Sequence, residues 1–536
     1  MDFGFLVMNT YSLEERTINS MLDRSVEKFG DNKFASSGDW SITYLELNNK
    51  VNSCANFLCS LGVTKGTKVA LMLRNSPAFI FSWLAVSKLG GIYVPINTDY
   101  KGDILQYQLN KADVTHIILD SDYIVRLDQV SGQLSNITHV IEHERKDHPY
   151  GTSSLNENFL RIHFDELLNA KDNHIKSSLH YTDPHAISFT SGTTGPSKGV
   201  LATNCHVITF ALDWIKACDY NYADRLFTPL PLFHAIASWL GVLPNIIMGN
   251  EISFVEKFSA SNFWSDVKHY NATHVHGIFS MIPILLKQPE DPGDKDVPAK
   301  YFYIGQRNAE FEKRFNCRII EVYGATETGI VTYTPLEINP ATGSCGKANQ
   351  DSYEVSVFNE KDEEASIGEV GEIVVRPKQP FSMMSQYYQM PNESLKAFKN
   401  LWFHTGDNGR VDKDGFFYFV DRKNDSIRRR GENISSFEVE RVINSSPKVL
   451  ECAAVAVPSE LGEDEIKVVI IPQPGNNITP DEIWNICREQ MPKFWIPKFI
   501  EFRDEMPKTP NQKIQKYLLR KDDSDVQIFD IKDYKT

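Results

Sequence analysis

A glycine-rich stretch at residues 190–199, with the sequence TSGTTGPSKG, contains side chains whose types and spacing suit one kind of chemistry. Its glycines let the backbone approach a ligand closely, and its hydroxyl groups and lysine offer hydrogen-bond donors and a positive charge to an anion. The segment therefore predicts a phosphate-binding loop. The residues expected to form it are Thr190, Ser191, Gly192, Thr193, Thr194, Gly195 and Lys198.

The alternative interpretation of an isolated glycine-rich stretch is a flexible surface loop. The loop also differs from the P-loop signature, in which the lysine is followed by Ser or Thr, because Lys198 is followed by Gly199. The pattern therefore excludes a P-loop NTPase but leaves phosphate binding open.

The segments around this loop alternate between strand-like and helical patterns. Apolar runs at 68–73, 91–97 and 115–120 alternate with helical patterns such as 44–61, and an apolar run at 186–190 leads directly into the loop. This alternation predicts parallel α/β layers.

The predicted pattern of strands and helices changes twice further along the chain. Short strands with glycine punctuation follow Gly346 and predict a β-rich subdomain, and a smaller α+β unit follows residue 421. We predict an α/β fold with a large N-terminal domain at 1–422, made of two doubly wound α/β subdomains plus the β-rich subdomain, and a small C-terminal domain at 425–536.

Together with the loop, four further segments resemble the signatures of the adenylate-forming superfamily, which includes acyl-CoA synthetases, adenylation domains and beetle luciferases. They are YGATETG at 323–329, WFHTGDNGRVDKDGFFYFVDR at 402–422, RGENISSFEVE at 430–440 and PKTPNQKIQK at 507–516, in the family's order. The resemblance covers nearly the whole chain. It implies that ATP and Mg²⁺ convert a carboxylic acid into an acyl-adenylate, from which a thiol takes the acyl group.

The resemblance assigns nucleotide-binding roles to YGATETG. In the family the aromatic residue stacks on adenine, the threonine contacts the α-phosphate and the glutamate binds Mg²⁺; these would be Tyr323, Thr326 and Glu327, with Gly324 in the same segment. Each role suits its residue, since a flat ring stacks on a base, a hydroxyl donates to phosphate and a carboxylate is a hard oxygen ligand.

The resemblance also assigns roles near the domain junction and in the C-terminal domain. Asp407 would accept hydrogen bonds from both ribose hydroxyls, and Arg422 would contact ribose or phosphate. Lys513 would enter the site to neutralise charge on the carboxylate and α-phosphate oxygens. The small domain would be mobile about a hinge near 423–425, and the segment around Gly431 would form the tunnel for a pantetheine arm.

The sequence departs from the family pattern at four places. Gln512 replaces the glycine before the lysine, Asn424 stands where the family has Asp or Lys, and Ser436 stands where it often has Pro. The fourth is 305–308, Gly-Gln-Arg-Asn in place of a Gly-Gly-Ala-like turn. These departures make a non-catalytic relative that binds nucleotide or acyl ligand an alternative.

His234, in the apolar segment PLFHAIASWL, occupies the position of a residue that lines the family's acyl pocket. Adenylation domains for α-amino acids usually have Asp there to pair with the substrate ammonium group, so His234 argues against an α-amino acid. Residues 257–289 and 416–422 look like the crotonobetaine/carnitine-CoA ligase branch, which implies a small or medium acid, conceivably with a quaternary ammonium group. An aromatic cage for such a cation or ordinary core packing are the two interpretations of Trp214, Trp239, Phe233 and Phe279. His274 and His276 alternate along a strand and are expected to be structural.

The thiol acceptor has two candidates, coenzyme A and the phosphopantetheine of a carrier protein. The 3′-phosphate of coenzyme A would favour basic residues such as those at 428–430, whereas a carrier protein would need an exposed apolar patch on the small domain. The sequence hardly separates these two.

The composition is that of a compact globular enzyme. The chain has 536 residues, eight cysteines and a net charge of −14, which disfavours non-specific binding to nucleic acid or to an anionic membrane. No signal peptide or run of about 20 apolar residues is found, and the cysteines show no zinc spacing. We therefore expect a cytoplasmic protein without a transmembrane segment. Its expected partners are a small carboxylic acid and either coenzyme A or a carrier protein.

Overall fold

The structure, a computed structural model, describes residues 11–176, 178–190, 197–278, 281–303, 307–339, 341–422, 427–429, 432–434, 436–458, 464–491, 495–508, 514–520 and 527–534. Two large sheets, three smaller sheets and a two-stranded ribbon hold these residues together. Within the described ranges, none of the helices has the length and apolar character needed to cross a membrane.

The first large sheet has eight strands, and the predicted phosphate loop belongs to it. Its inner strands run parallel, whereas the two strands at one edge run antiparallel to their neighbours. The order is Gln386–Tyr387, Lys198–Thr203, Pro184–Thr190, Ile92–Pro95, Lys68–Met72, His116–Asp120, His139–His143 and Leu160–His163.

The second large sheet has seven strands and is parallel except for the hairpin that forms one edge. Its strand order is Arg318–Ile320, Tyr301–Tyr303, His274–His276, Arg225–Thr228, Glu251–Phe254, Lys33–Ser37 and Trp40–Thr43. The apolar run at 225–233 is a strand only as far as Thr228, because Pro229 and Pro231 cannot donate to a ladder.

The helices lie between and around these sheets and bury their apolar faces against them. Several begin at side-chain caps: Thr43 and Glu46 form a capping box, and the hydroxyl of Thr203 accepts from the backbone N–H of His206 at 3.1 Å, which turns the strand after the loop straight into a helix. The longer helices of this region are Ile18–Phe29, Tyr44–Ser60, Pro77–Lys88, Gly102–Lys111 and Asn204–Ala217. The shorter ones are Ile124–Val130, Phe164–Leu168, Ala235–Ala237, Leu243–Met248, Phe263–His269, Met281–Leu286, Ala309–Phe315 and Pro391–Ala397.

The predicted β-rich subdomain is antiparallel. One sheet orders Tyr353–Phe358, Gly371–Pro377, Trp402–Val411 and Phe398–Lys399, with Phe417–Arg422 paired to Trp402–Val411. A smaller sheet consists of Val322–Ala325, Gly329–Tyr333 and Lys347–Ala348. The strand Gln386–Tyr387 comes from the same stretch of sequence but joins the eight-stranded sheet.

The C-terminal part has its own sheets and its own hydrophobic clusters. Strands Val449–Pro458, Asp464–Pro472, Phe499–Phe502 and Ile528–Asp530 form one sheet, and Ile427–Arg429 pairs with Glu432–Ile434. Its helices are Ser436–Asn444, Pro480–Gln490 and Lys516–Leu519. The buried apolar residues of this part pack with one another. The predicted fold class is confirmed.

Candidate active site

The predicted phosphate loop connects two antiparallel strands of the eight-stranded sheet. Strand Pro184–Thr190 enters it and strand Lys198–Thr203 leaves it, with Thr190 and Lys198 as Cα partners. The Thr190 hydroxyl donates to the carbonyl oxygen of Lys198 at 3.4 Å, which closes the base of the hairpin. Ser191, Gly192, Thr193, Thr194 and Gly195 lie outside the described residues, so their phosphate contacts stay a prediction.

Lys198 lies at the base of this hairpin, between a ring and a carboxylate. Its ammonium nitrogen is 4.9 Å from the centroid of the Tyr387 ring and 3.7 Å from a carboxylate oxygen of Glu393. Both members of the ion pair are about one-third exposed, so the pair contributes little, roughly 0–1 kcal/mol, and an incoming phosphate can replace it.

The YGATETG segment forms a tight hairpin between strands Val322–Ala325 and Gly329–Tyr333. The N–H of Thr328 donates to the carbonyl of Ala325 at 3.1 Å, and the Thr328 hydroxyl accepts from the N–H of Ala325 at 3.1 Å. This turn contains Thr326 and Glu327, both partly exposed. A Cβ on Gly324 would lie 2.0 Å from a backbone oxygen across the hairpin, so only glycine fits there.

Glu327 is held by residues that sequence reasoning missed. The Tyr387 hydroxyl donates to a carboxylate oxygen of Glu327 at 3.1 Å, and the N–H of Met384 donates to its backbone carbonyl at 2.9 Å. Burial and the neighbouring Glu327 raise the pKa of Tyr387, which keeps its hydroxyl a donor. No local signal identifies Tyr387, because its position depends on a strand that pairs with residues almost 190 positions earlier.

Tyr323 and Asp407, predicted to bind adenine and ribose, are in direct contact. The Tyr323 hydroxyl donates to a carboxylate oxygen of Asp407 at 2.8 Å. Burial, reinforced by Asp407, raises the pKa of Tyr323 well above its usual range, so the phenol stays protonated. Adenine and ribose are adjacent parts of one nucleoside, and these two residues lie 84 positions apart in the sequence.

The backbone around Asp407 is bent away from a regular strand. Gly406 has a φ of +75°, and its N–H donates to Glu372 at 2.9 Å. The Thr405 hydroxyl accepts from the N–H of Asp407 at 3.1 Å and donates to the carbonyl of Ile373 at 2.7 Å. Asp407 and Arg422 are Cα partners across the neighbouring strand pair. The strand register thus places Arg422 beside Asp407, and the side chain of Arg422 lies outside the described structure.

His234 precedes the short helix Ala235–Ala237 and is partly exposed. Its ring lies 4.7 Å from that of Phe233, and its carbonyl accepts from the Ser238 N–H at 3.1 Å and from the Ser238 hydroxyl at 3.0 Å. These contacts come from its own segment, so its place in an acyl pocket stays a prediction.

The buried aromatic residues near this segment belong to the core. Trp214 and Trp239 are fully buried, and Trp214 packs against His274 and His276 with ring centroids 6.2 and 5.4 Å away. Burial lowers the pKa of His274 to about 4 and that of His276 to about 3, so both are neutral at pH 7. The structural interpretation of both histidines agrees with this packing. Phe279 lies outside the described residues.

Two departures from the family pattern have a structural function. Ser436, fully buried, begins a helix and accepts a short hydrogen bond from the Lys516 ammonium group, which also pairs with Glu440 at 2.8 Å. Asn308 caps the helix Ala309–Phe315 by accepting from the N–H of Phe311 at 2.8 Å. The contacts of Lys516 with Ser436 and Glu440 connect the segment that follows Lys513 to the helix that follows RGENI.

Some predicted residues lie outside the described residues. These are Lys513, Gly431, Gln512, Asn424 and the hinge at 423–425. The flanks of Lys513 are described: Lys508 and Ile514 form an antiparallel bridge, and the N–H of Gln515 donates to the carbonyl of Pro507 at 2.7 Å.

The donor set suits a magnesium–nucleotide complex better than a metal bound by protein alone. Among the described residues, no group of three or more His, Cys, Asp or Glu side chains could hold a metal ion. Mg²⁺ commonly takes one or two carboxylates and completes its shell with water and substrate phosphates. One carboxylate at Glu327, near a lysine that can meet phosphate, fits that pattern.

Comparison with known proteins shows the family. Residues 22–388 match the family model of AMP-binding enzymes, and residues 438–513 match that of the AMP-binding enzyme C-terminal domain. The crotonobetaine/carnitine–CoA ligase of Salmonella agona (strain SL483) is 32% identical over 497 residues, which is 89% of this chain and 93% of that protein. The enzyme of the same name from Salmonella typhimurium is also 32% identical, over 501 residues.

Solved structures share the fold at lower identity. ATP-bound MatB from Rhodopseudomonas palustris has a TM-score of 0.83 and 23% identity, covering 94% of this chain and 98% of that one. The anthranilate CoA ligase AuaEII in complex with anthranoyl-AMP has a TM-score of 0.84 and 22% identity, covering 96% and 98%.

The chain belongs to the family of AMP-binding enzymes. The enzyme class predicted from its motifs, an AMP-forming acid–thiol ligase, is confirmed by these relatives.

Proposed function

We propose that this enzyme converts a small carboxylic acid and ATP into an acyl-adenylate and pyrophosphate, and then forms the thioester with coenzyme A. One observation carries the proposal: four separate stretches of sequence meet in two contact groups. Lys198, Tyr387 and Glu327 form a group suited to phosphates and Mg²⁺, and Tyr323 with Asp407 forms a group suited to a nucleoside.

In the first step the substrate carboxylate attacks the α-phosphorus and pyrophosphate leaves. The carbon–oxygen bonds of the acid stay intact, one oxygen–phosphorus bond forms and another breaks. Such a step depends on positioning and on neutralising charge. Thr326 would donate to the α-phosphate, Lys198 and the loop would meet the other phosphates, and Lys513 would neutralise the reacting oxygens. Mg²⁺ held by Glu327 would neutralise charge on the phosphates.

In the second step the thiol attacks the carbonyl carbon of the adenylate and AMP leaves. We propose that the small domain at 425–536 turns on the hinge at 423–425 relative to the large domain at 1–422, which withdraws Lys513 and presents the segment around Gly431. The separate family matches at 22–388 and 438–513, and a C-terminal core made of its own residues, support this division.

Coenzyme A is the proposed acceptor because the relatives at 32% identity are CoA ligases. The substrates in the names of these relatives also make betaine-type acids the first candidates, with the acyl group next to Phe233 and His234. Seven of the eight cysteines are buried as free thiols, which suits the reducing cytoplasm where we propose that the enzyme works.

The test is pyrophosphate exchange into ATP, screened over short-chain, betaine-like, aryl and amino acids, followed by thioester formation with free coenzyme A and with a holo-carrier protein. We expect exchange with a subset of acids and product with free coenzyme A. Thioester formation with the holo-carrier protein and not with free coenzyme A would show that a carrier protein is the acceptor.

Lys513→Ala is expected to reduce exchange at least about 100-fold, since it removes a charge that acts in the transition state. Lys508→Ala is the matched control, because Lys508 lies on the same segment and is engaged in an ion pair with Glu451 at 2.7 Å. Background exchange across the whole panel would favour a non-catalytic binding protein.

A further inference from the structure

Tyr387 and Tyr388 are adjacent tyrosines, and each contacts one lysine through its ring and one carboxylate through its hydroxyl, but their partners differ. The ring of Tyr387 lies 4.9 Å from the Lys198 ammonium nitrogen, and its hydroxyl donates to Glu327 at 3.1 Å. The ring of Tyr388 lies 5.7 Å from the ammonium nitrogen of Lys68, and its hydroxyl donates to Asp113 at 3.0 Å. Only the partners of Tyr387 have predicted roles in binding phosphate and Mg²⁺.

The strand register explains the position of Tyr387. Strand Gln386–Tyr387 pairs antiparallel with Lys198–Thr203, and Tyr387 is opposite Val200. Side chains two residues apart on a strand lie on the same face, so Lys198 is the diagonal neighbour of Tyr387. The N–H of Tyr388 donates to the carbonyl of Gly199 at 2.7 Å, which fixes this register at the base of the phosphate loop.

The same segment holds Glu327 at two points. The N–H of Met384 donates to the backbone carbonyl of Glu327 at 2.9 Å. The hydroxyl of Tyr387, a residue that is 5% exposed, donates to the Glu327 carboxylate. One carboxylate oxygen of Glu327 is thus engaged by a buried donor.

A tyrosine can serve both neighbours at once. The face of its ring attracts a cation, and its hydroxyl donates to an anion. We propose that Tyr387 is a positioning residue that orients the Glu327 carboxylate toward the metal of MgATP and aligns the Lys198 ammonium group with the ATP phosphates. The inference rests on the proposed function and adds to it a residue that joins the phosphate loop to the metal ligand.

The experiment is isothermal titration of the full chain with ATP, once with Mg²⁺ and once with a chelator. Tyr387→Phe keeps the ring but loses the hydroxyl, so we expect MgATP affinity to fall about five- to tenfold and metal-free ATP affinity to stay within about twofold. Tyr387→Leu loses the ring as well, so metal-free ATP affinity should fall also. Tyr388→Phe, the matched control, should bind both like the wild type.

A second background separates positioning from general stability. In a Glu327→Gln chain, adding Tyr387→Phe should cause no further loss of MgATP affinity, whereas a merely structural role would lower it again. Wild-type MgATP affinity in Tyr387→Phe, or equal losses with and without Mg²⁺, would overturn the inference while leaving the proposed function intact. A wild-type chain that bound no ATP would instead overturn the proposed function, and the inference with it.

Discussion

Removal of the Tyr323 hydroxyl tests whether the contact between Tyr323 and Asp407 serves nucleotide binding. The Tyr323→Phe variant keeps the ring and loses the 2.8 Å hydrogen bond to Asp407. A hydrogen bond to a charged group is worth about 1.5–3 kcal/mol, and because this bond is present with and without ATP, only part of that, about 1–1.4 kcal/mol, should be lost from nucleotide binding. Since 1.4 kcal/mol corresponds to a factor of ten, we expect the KM for ATP to rise about five- to tenfold.

The loss should appear in KM for ATP and leave kcat within about twofold. The nucleoside is held equally in the ground state and in the transition state, so weakening it removes uniform binding. The assay is pyrophosphate exchange over a series of ATP concentrations, together with the thermal midpoint of each variant.

A matched control lies on a neighbouring strand. Tyr418 donates to Asp412 at 2.8 Å, the same kind of bond at the same length, outside both contact groups of the site. Tyr418→Phe should leave the KM for ATP unchanged. An unchanged KM in Tyr323→Phe, or an equal rise in both variants, would refute the reasoning.

Three further predictions concern Lys516, Asp213 and Gly324. Lys516→Met should lower the free energy of unfolding by about 2 kcal/mol in chemical denaturation, because it leaves the carboxylate of Glu440 largely buried without its cation, and adding Glu440→Gln should restore part of the loss. Burial raises the pKa of Asp213 to about 7, so the folded state binds this proton more tightly than the unfolded state. The contribution of Asp213 to stability should therefore fall as pH rises from about 4 to 7 and level off above, and the difference in stability between the wild type and Asp213→Asn should show this pH dependence in denaturation curves. Gly324→Ala should reduce pyrophosphate exchange at least about 100-fold because its Cβ would lie 2.0 Å from a backbone oxygen, while Gly132→Ala, with open space around the new Cβ, should match the wild type.

Much of the fold could be predicted from the sequence because local patterns define single elements. The helical pattern at 44–61 is the helix Tyr44–Ser60, and the apolar run at 115–120 contains the strand His116–Asp120. The end of the strand at Thr228 could not be predicted from hydrophobicity alone. The apolar residues continue to position 233, whereas the prolines after Thr228 end the hydrogen-bond ladder.

The residues of the candidate site differ in the same way in whether the sequence identifies them. Lys198, Tyr323, Glu327 and Asp407 could be found because each belongs to a segment with a recognisable pattern. Tyr387 could not, because its contacts with Lys198 and Glu327 depend on which strand its segment joins.

The sequence by itself determined the class of enzyme, the order of its elements and the residues expected to meet ATP, since motif and periodicity are properties of neighbouring residues. The tertiary structure decided which of these residues touch. It brought Tyr323 to Asp407 across 84 positions and placed Tyr387 between Lys198 and Glu327. The physical reason is that pairing between distant strands depends on the register and burial of the whole sheet, which no local pattern specifies.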